Sequence, residues 1–211
     1  MNSDVAKKAA MSLHTDGNSL SSHCLRILLR DKDVECDMRY VNTAERQQEV
    51  NELNPYGETP VLIDREMVLY EFYPVVEYLD ERFPHPPLLP ADPIGRGKAR
   101  LAIARMQRDW MLDVDKAIKE NKPISNELKQ SISDGLTSLS PLFNYQPYFT
   151  GDDYTLVDVI IAPLLWRLKS LGIELPDKAK PVLDYADRLF AREQFELSLS
   201  QQEMELNEDL T

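Results

Sequence analysis

Cysteine is scarce in this chain. Cys24 and Cys36 are the only two among 211 residues and do not form a Cys-x-x-Cys pair, so a disulfide framework is excluded and two reduced thiols are expected. The three histidines, His14, His23 and His85, lie at no metal-ligand spacing, and no metal is predicted. Long apolar runs are lacking too: LVDVIIAPLLW is interrupted by Asp158 and Pro163 and falls short of the roughly 20 residues a membrane helix needs. The stretch MNSDVAKKAAMSLHTD has two lysines but no extended apolar core after them, so no secretory signal is read there and a cytoplasmic location is expected. Basic residues are in deficit, 24 against 36 acidic ones, for a net charge of −12. Nucleic-acid binding draws its affinity from basic groups that displace counterions, so direct binding to DNA or RNA is not expected.

What is present is ordinary globular material, 43% hydrophobic and 28% charged, enough for one good core or two small ones. Part of the acid is local. After Arg192 come Glu193, Glu196, Glu203, Glu205, Glu208 and Asp209 with no basic residue, which reads as a solvated helix end that frays.

Along the chain, Ala10 to His14 reads as a first strand, followed by the polar loop TDGNSLSS and a helix from Ser21 with Leu25, Leu28 and Leu29 on one face, closing on Asp31, Lys32 and Asp33. Val34, Cys36, Met38 and Tyr40 alternate with polar neighbours, the period of a half-buried strand. ERQQEVNELN is a polar surface helix ending before Pro55; PVLID and MVLY are two short strands in antiparallel connection; Glu71 to Arg82 returns to helical period. From Ile94 onward only helices are predicted: Ile94 to about Glu120, Asn126 to Leu139, Leu156 to Leu171 and Ala179 to Arg192. The fold class is α+β, with a thioredoxin-like domain at 1–82, a proline-rich linker at 83–93 and an all-helical domain with an acidic tail at 94–211.

Three motifs stand out. In Glu58-Thr59-Pro60-Val61 a proline stands at the entrance of a strand, where a cis peptide bond is the expected device. Thr155 and Asp158 have the spacing of a reciprocal capping box, a folding feature. RFPHPPLLP, residues 82–90, places His85 between prolines in a stiff, extended segment. It is either a connector between helices or a pre-ordered surface that presents His85.

The stretches NPYGETPVLID, LYEFYPVVEYLDERF and YTLVDVIIAPLLWRL, in that order, resemble the glutathione transferase superfamily over essentially the whole chain. Within it, YLDERFPHPPLLP, DPIGRGKARL, QRDW and APLLWRLKSLGIELP are similar to the bacterial stringent starvation protein A family over roughly residues 10–200. The resemblance implies a glutathione transferase fold and a homodimer. A glutathione enzyme of this kind needs a tyrosine, serine or cysteine at the start of the first helix to stabilise a thiolate. Here the position is Ser19, with Ser21 and Ser22 close by, and an ordinary helix cap is the better account of a serine at a helix start. The superfamily also uses an acid followed by a small hydroxyl residue at the third helix. Here that pair is Glu71-Phe72, and phenylalanine cannot donate to the ligand. Ser19, Thr59, Pro60, Glu71 and Phe72 are thus read as a remnant cleft, with no cofactor and no transferase activity expected. The alternative is an active serine-type transferase using Ser19. The resemblance further implies that Pro84, His85 and Pro86 contact RNA polymerase holoenzyme with its sigma factor, so that the protein regulates transcription; the adjacent Tyr78, Phe83 and Pro87 are expected to build an apolar rim around the imidazole.

Overall fold

The computed structural model describes residues 11–208. Four short strands, β1 (Ser12–Thr15), β2 (Asp37–Tyr40), β3 (Val61–Asp64) and β4 (Met67–Tyr70), form one sheet in the order β2-β1-β3-β4. β1 and β2 run parallel, which demands a crossover, and α1 (Leu20–Asp31) supplies it. β3 is antiparallel to both β1 and β4, with Leu62 opposite Leu13 and Leu69, so an apolar row crosses the sheet. α2 (Ala44–Leu53) is polar and buries only Val50. α3 (Phe72–Arg82) packs against α1 and carries Phe72, Val75, Val76 and Leu79 into the core.

The second domain begins at α4 (Pro93–Met106), where Asp92 accepts from the Gly95 amide at 2.8 Å and Pro93 needs no N–H at the first helical position. α4 passes through a π-helical segment, Gln107–Met111, into α5 (Leu112–Lys119). There Trp110 lies against α6 (Asn126–Ser138) so closely that a Cβ on Gly135 would fall 2.3 Å from its ring. α7 (Ser140–Phe143), α8 (Leu156–Trp166), α9 (Lys180–Phe190), α10 (Glu193–Glu196) and α11 (Gln201–Glu208) complete the chain. α8 is apolar on every face because α1, α4 and α9 surround it, and Leu156 to Leu165 are all buried. It stops at Trp166 and not near Leu171 as its pattern predicts. Gly172, at φ 65, reverses the chain, and the Ile173 amide closes the turn on the Leu168 carbonyl at 2.8 Å.

The acidic tail departs from expectation at one residue: Glu193, Glu196 and Glu205 are exposed, but Glu203 has no exposed surface, and Ser198 and Ser200 are buried beside it. The reason is two buried guanidiniums, Arg26 on α1 and Arg167 after α8, whose charge the Glu203 carboxylate compensates.

Candidate functional site

The residues expected to form a remnant cleft gather around and beside the β1–α1 loop. Asp16 sits there with both carboxylate oxygens occupied. Oδ1 accepts from the Asn18 amide at 2.8 Å and from the Ser19 amide; Oδ2 accepts from the hydroxyls of Ser19 (2.6 Å), Ser22 (2.8 Å) and Thr59 (2.7 Å). Although burial opposes ionisation, the donors from Ser19, Thr59 and Asn18 together win and hold the carboxyl at about 2, so it is a fixed anion at neutral pH. Ser19 caps α1 by accepting from the Ser22 amide at 3.2 Å. A hydroxyl has one proton, and that of Ser19 is donated to Asp16. The hydroxyl that the transferase reading needs as a thiolate donor is thus engaged by the Asp16 carboxylate in this arrangement.

The rest of the cleft follows the same direction. The Thr59–Pro60 peptide is cis, as its place before β3 predicts. Glu71 is exposed, at φ 76, with no capping hydrogen bond from its side chain, while Phe72 is buried in the core. The acid and its neighbour thus point to different environments. The start of α1 is also capped from the other domain: Asp115 on α5 accepts from the Leu20 amide (2.6 Å), the Ser21 amide (3.2 Å) and the Ser21 hydroxyl (2.6 Å). Desolvation raises its pKa to about 6, offset in part by these donors.

On the far side of the loop lies a buried polar cluster absent from the sequence reading. Arg26 donates to both Glu203 oxygens at 2.6 Å, to the Thr15 hydroxyl at 2.9 Å and to the Asp16 carbonyl at 2.7 Å. Arg167 donates to Glu203, to the Asn18 carbonyl at 3.1 Å and to His23 Nδ1 at 3.1 Å. His23 also stands 3.4 Å from Glu203, but burial, aided by the two arginine charges, drives its pKa well below 6.5. The ring is neutral: Nδ1 accepts from Arg167 and the remaining proton, on Nε2, is donated to Ser198 Oγ at 3.0 Å. The signal that could have revealed this is Ser200-x-x-Glu203, a capping pattern; the Glu203 carboxylate accepts from the Ser200 amide at 2.8 Å and its own amide donates to Ser200 Oγ at 3.1 Å. Thr155 and Asp158 form the box read from the sequence, and Asp158 also accepts from Tyr185 at 2.6 Å.

The Pro-His-Pro segment lies on another face. Pro84, His85, Pro86 and Pro87 are exposed, and His85–Pro86 is a second cis peptide. The backbone is nonetheless tied down: the Pro86 carbonyl accepts from Lys32 Nζ at 2.6 Å, and the Leu88 carbonyl accepts from the Leu156 amide at 2.7 Å. Tyr78 and Phe83, expected as a rim, have partners of their own, the Tyr78 hydroxyl donating to Asp64 at 2.6 Å and the Phe83 ring lying under Arg82. A groove of about 700 Å³ adjoins the segment at Lys32 and Phe83, lined by the acids Asp33, Glu35, Asp37 and Asp64 and by the bases Lys32, Arg65 and Arg82. Among the described residues no cluster of His, Cys, Asp and Glu could hold a metal ion, and no helix is long and apolar enough to cross a membrane.

Residues 18–87 match the glutathione S-transferase N-terminal domain and residues 102–193 its C-terminal domain. The stringent starvation protein A homolog of Coxiella burnetii is 42% identical over 97% of this chain and 98% of its own length; that of Pasteurella multocida is 38% identical over 94% of each. The chain belongs to the stringent starvation protein A family. More distant relatives include a probable maleylacetoacetate isomerase of Caenorhabditis elegans, 31% identical over 77% of this chain and 81% of that protein. Among solved structures, a bacterial zeta-class maleyl pyruvate isomerase superposes with a TM-score of 0.76 at 24% identity, covering 89% of this chain and 96% of that one. An epsilon-class glutathione S-transferase from housefly superposes at 0.80 and 16% identity, covering 93% and 94%. These structures establish the glutathione transferase fold of a family whose name refers to starvation.

Proposed function

We propose that this protein is a cytoplasmic transcription regulator that docks on RNA polymerase holoenzyme and its sigma factor through Pro84, His85 and Pro86, and that it does not transfer glutathione. The observation that carries the reading is the state of that segment: its side chains face outward while its backbone is anchored at the Pro86 and Leu88 carbonyls. A recognition element already held in one conformation gives up little entropy on docking. No nucleophile or paired carboxylate of the described contacts engages His85, so its role is recognition and not proton transfer.

The second reading, a serine-type glutathione enzyme, is favoured by the isomerase relative. Against it stands the Ser19 hydroxyl, whose proton goes to Asp16. The docking partner would meet a homodimer. Ile94, Gly97 and Leu101 line an open face of α4, Ile94 and Leu101 being 72% and 63% exposed, opposite the buried Ala99, Ile103 and Met106. A small residue between two large apolar ones lets two copies approach closely.

The deciding experiment is capture of holoenzyme by the wild-type protein and by a His85→Ala, Pro86→Ala variant, with melting curves as a folding control. Loss of capture by the folded variant supports docking through this segment; full capture rejects it.

A further inference from the structure

Three of the four residues 84–87 are prolines and carry no N–H, so this loop cannot hold itself through a backbone ladder of its own. Its carbonyls must be fixed from outside. Lys32, immediately after α1, does this with a side chain that has no exposed surface: one proton of the ammonium goes to Asp80 Oδ1 and another to the Pro86 carbonyl, both at 2.6 Å. Asp80, on the last turn of α3, is itself nearly buried, with a side chain 9% exposed. Burying an ammonium is costly, and of the two protons left after the bond to Asp80 one is directed at the loop that presents His85.

We infer that Lys32 and Asp80 are positioning residues for the Pro-His-Pro surface: Asp80 compensates the lysine charge, and Lys32 fixes the Pro86 carbonyl so that His85 is displayed in a single arrangement. This rests on the docking role proposed above, but the ordering of the loop is testable without it.

The variant to make is Lys32→Met with Asp80→Leu, which removes both charges together and leaves neither buried alone. With full-length protein, two readings are taken after a melt confirms folding: affinity for holoenzyme, and the His85 ring resonances by NMR. The expected result is about tenfold weaker binding, from loss of a charge-assisted hydrogen bond, together with His85 signals averaged toward those of an unstructured peptide. Binding within twofold of wild type with His85 signals unchanged overturns the inference; a merely stabilising ion pair would lower the melting temperature and move neither reading. If His85→Ala, Pro86→Ala also binds as wild type, the docking role has failed, and the His85 signals alone decide whether Lys32 positions the loop. Should the apolar pair not fold, Lys32→Gln with Asp80→Asn keeps polar side chains at both positions and is read in the same way.

Discussion

Arg26 and Glu203, 177 residues apart in sequence, meet in a bidentate pair with both bonds at 2.6 Å and no exposed surface on the carboxylate. The pair joins the first helix of the thioredoxin-like domain to the last helix of the chain. Because Arg167 shares the same carboxylate, removing it leaves two buried guanidiniums without their anion. Glu203→Ala is expected to destabilise the protein by about 3–5 kcal/mol, a fall of roughly 10 °C in melting temperature. Calorimetry checks this. A change below about 1 kcal/mol would mean that the tail is as loosely held as a solvated acid.

That tail shows where sequence reading stops. Periodicity located the strands, α1, α3 and the all-helical second half because each signal is local, spread over a few residues that share one face. The capping box at Thr155 and the cis bond before Pro60 were legible for the same reason. The burial of Glu203 was not. Its neighbours in sequence, Gln202, Met204 and Glu205, include no basic residue, and its partners are Arg26 and Arg167, whose side chains arrive from elsewhere in the fold. Asp16 was missed differently: it lies in the loop TDGNSLSS, where an aspartate is ordinary turn chemistry, and only folding brings the Thr59 hydroxyl to it.

Ser19→Ala removes the cap of α1 and a bond to Asp16. It should cost about 1 kcal/mol of stability and leave conjugation of glutathione to an electrophile at the uncatalysed rate, as in wild type. A wild-type rate well above background that Ser19→Ala abolishes would establish the serine-type enzyme instead.

Neither thiol is set up to react. Burial drives Cys24 well above its usual value, and burial with the Asp37 charge pushes Cys36 to about 12. At pH 8 the thiolate at Cys36 is on the order of one part in ten thousand. A colorimetric disulfide reagent should label the native protein slowly and the denatured protein at once; rapid labelling of one site in the native state would contradict this.

The exposed α4 face gives a direct test of assembly. Leu101→Arg places a charge two turns along α4 from Ile94 on the same open face, where a second copy would bury it unpaired. Sedimentation equilibrium should show a dimer for wild type and a 24.3 kDa monomer for the variant at micromolar concentration. A wild-type monomer, or a variant that remains dimeric, removes α4 as the interface.

Protonation should act on the domain junction through Asp115. Its folded pKa of about 6 lies above the ordinary 3.8, so folding favours the protonated carboxyl; this contribution is complete below about pH 4 and is lost as pH rises through 6. Asp16 behaves oppositely: held at about 2, it stabilises above pH 4 and loses that effect only in strong acid. His14 and His23, kept neutral by burial, withdraw stability as pH falls below 6.5, because only the unfolded chain takes up those protons. The whole-protein profile therefore mixes opposing slopes, and Asp115 must be isolated by difference. Asp115→Asn retains a carbonyl acceptor for the Leu20 and Ser21 amides while remaining neutral at every pH. Subtracting its melting temperature from that of wild type should give a difference that moves in favour of wild type by about 5 °C between pH 7 and pH 5. A difference that is flat, or that moves toward the variant, would mean that Asp115 is ionised at the start of α1 at no cost to folding.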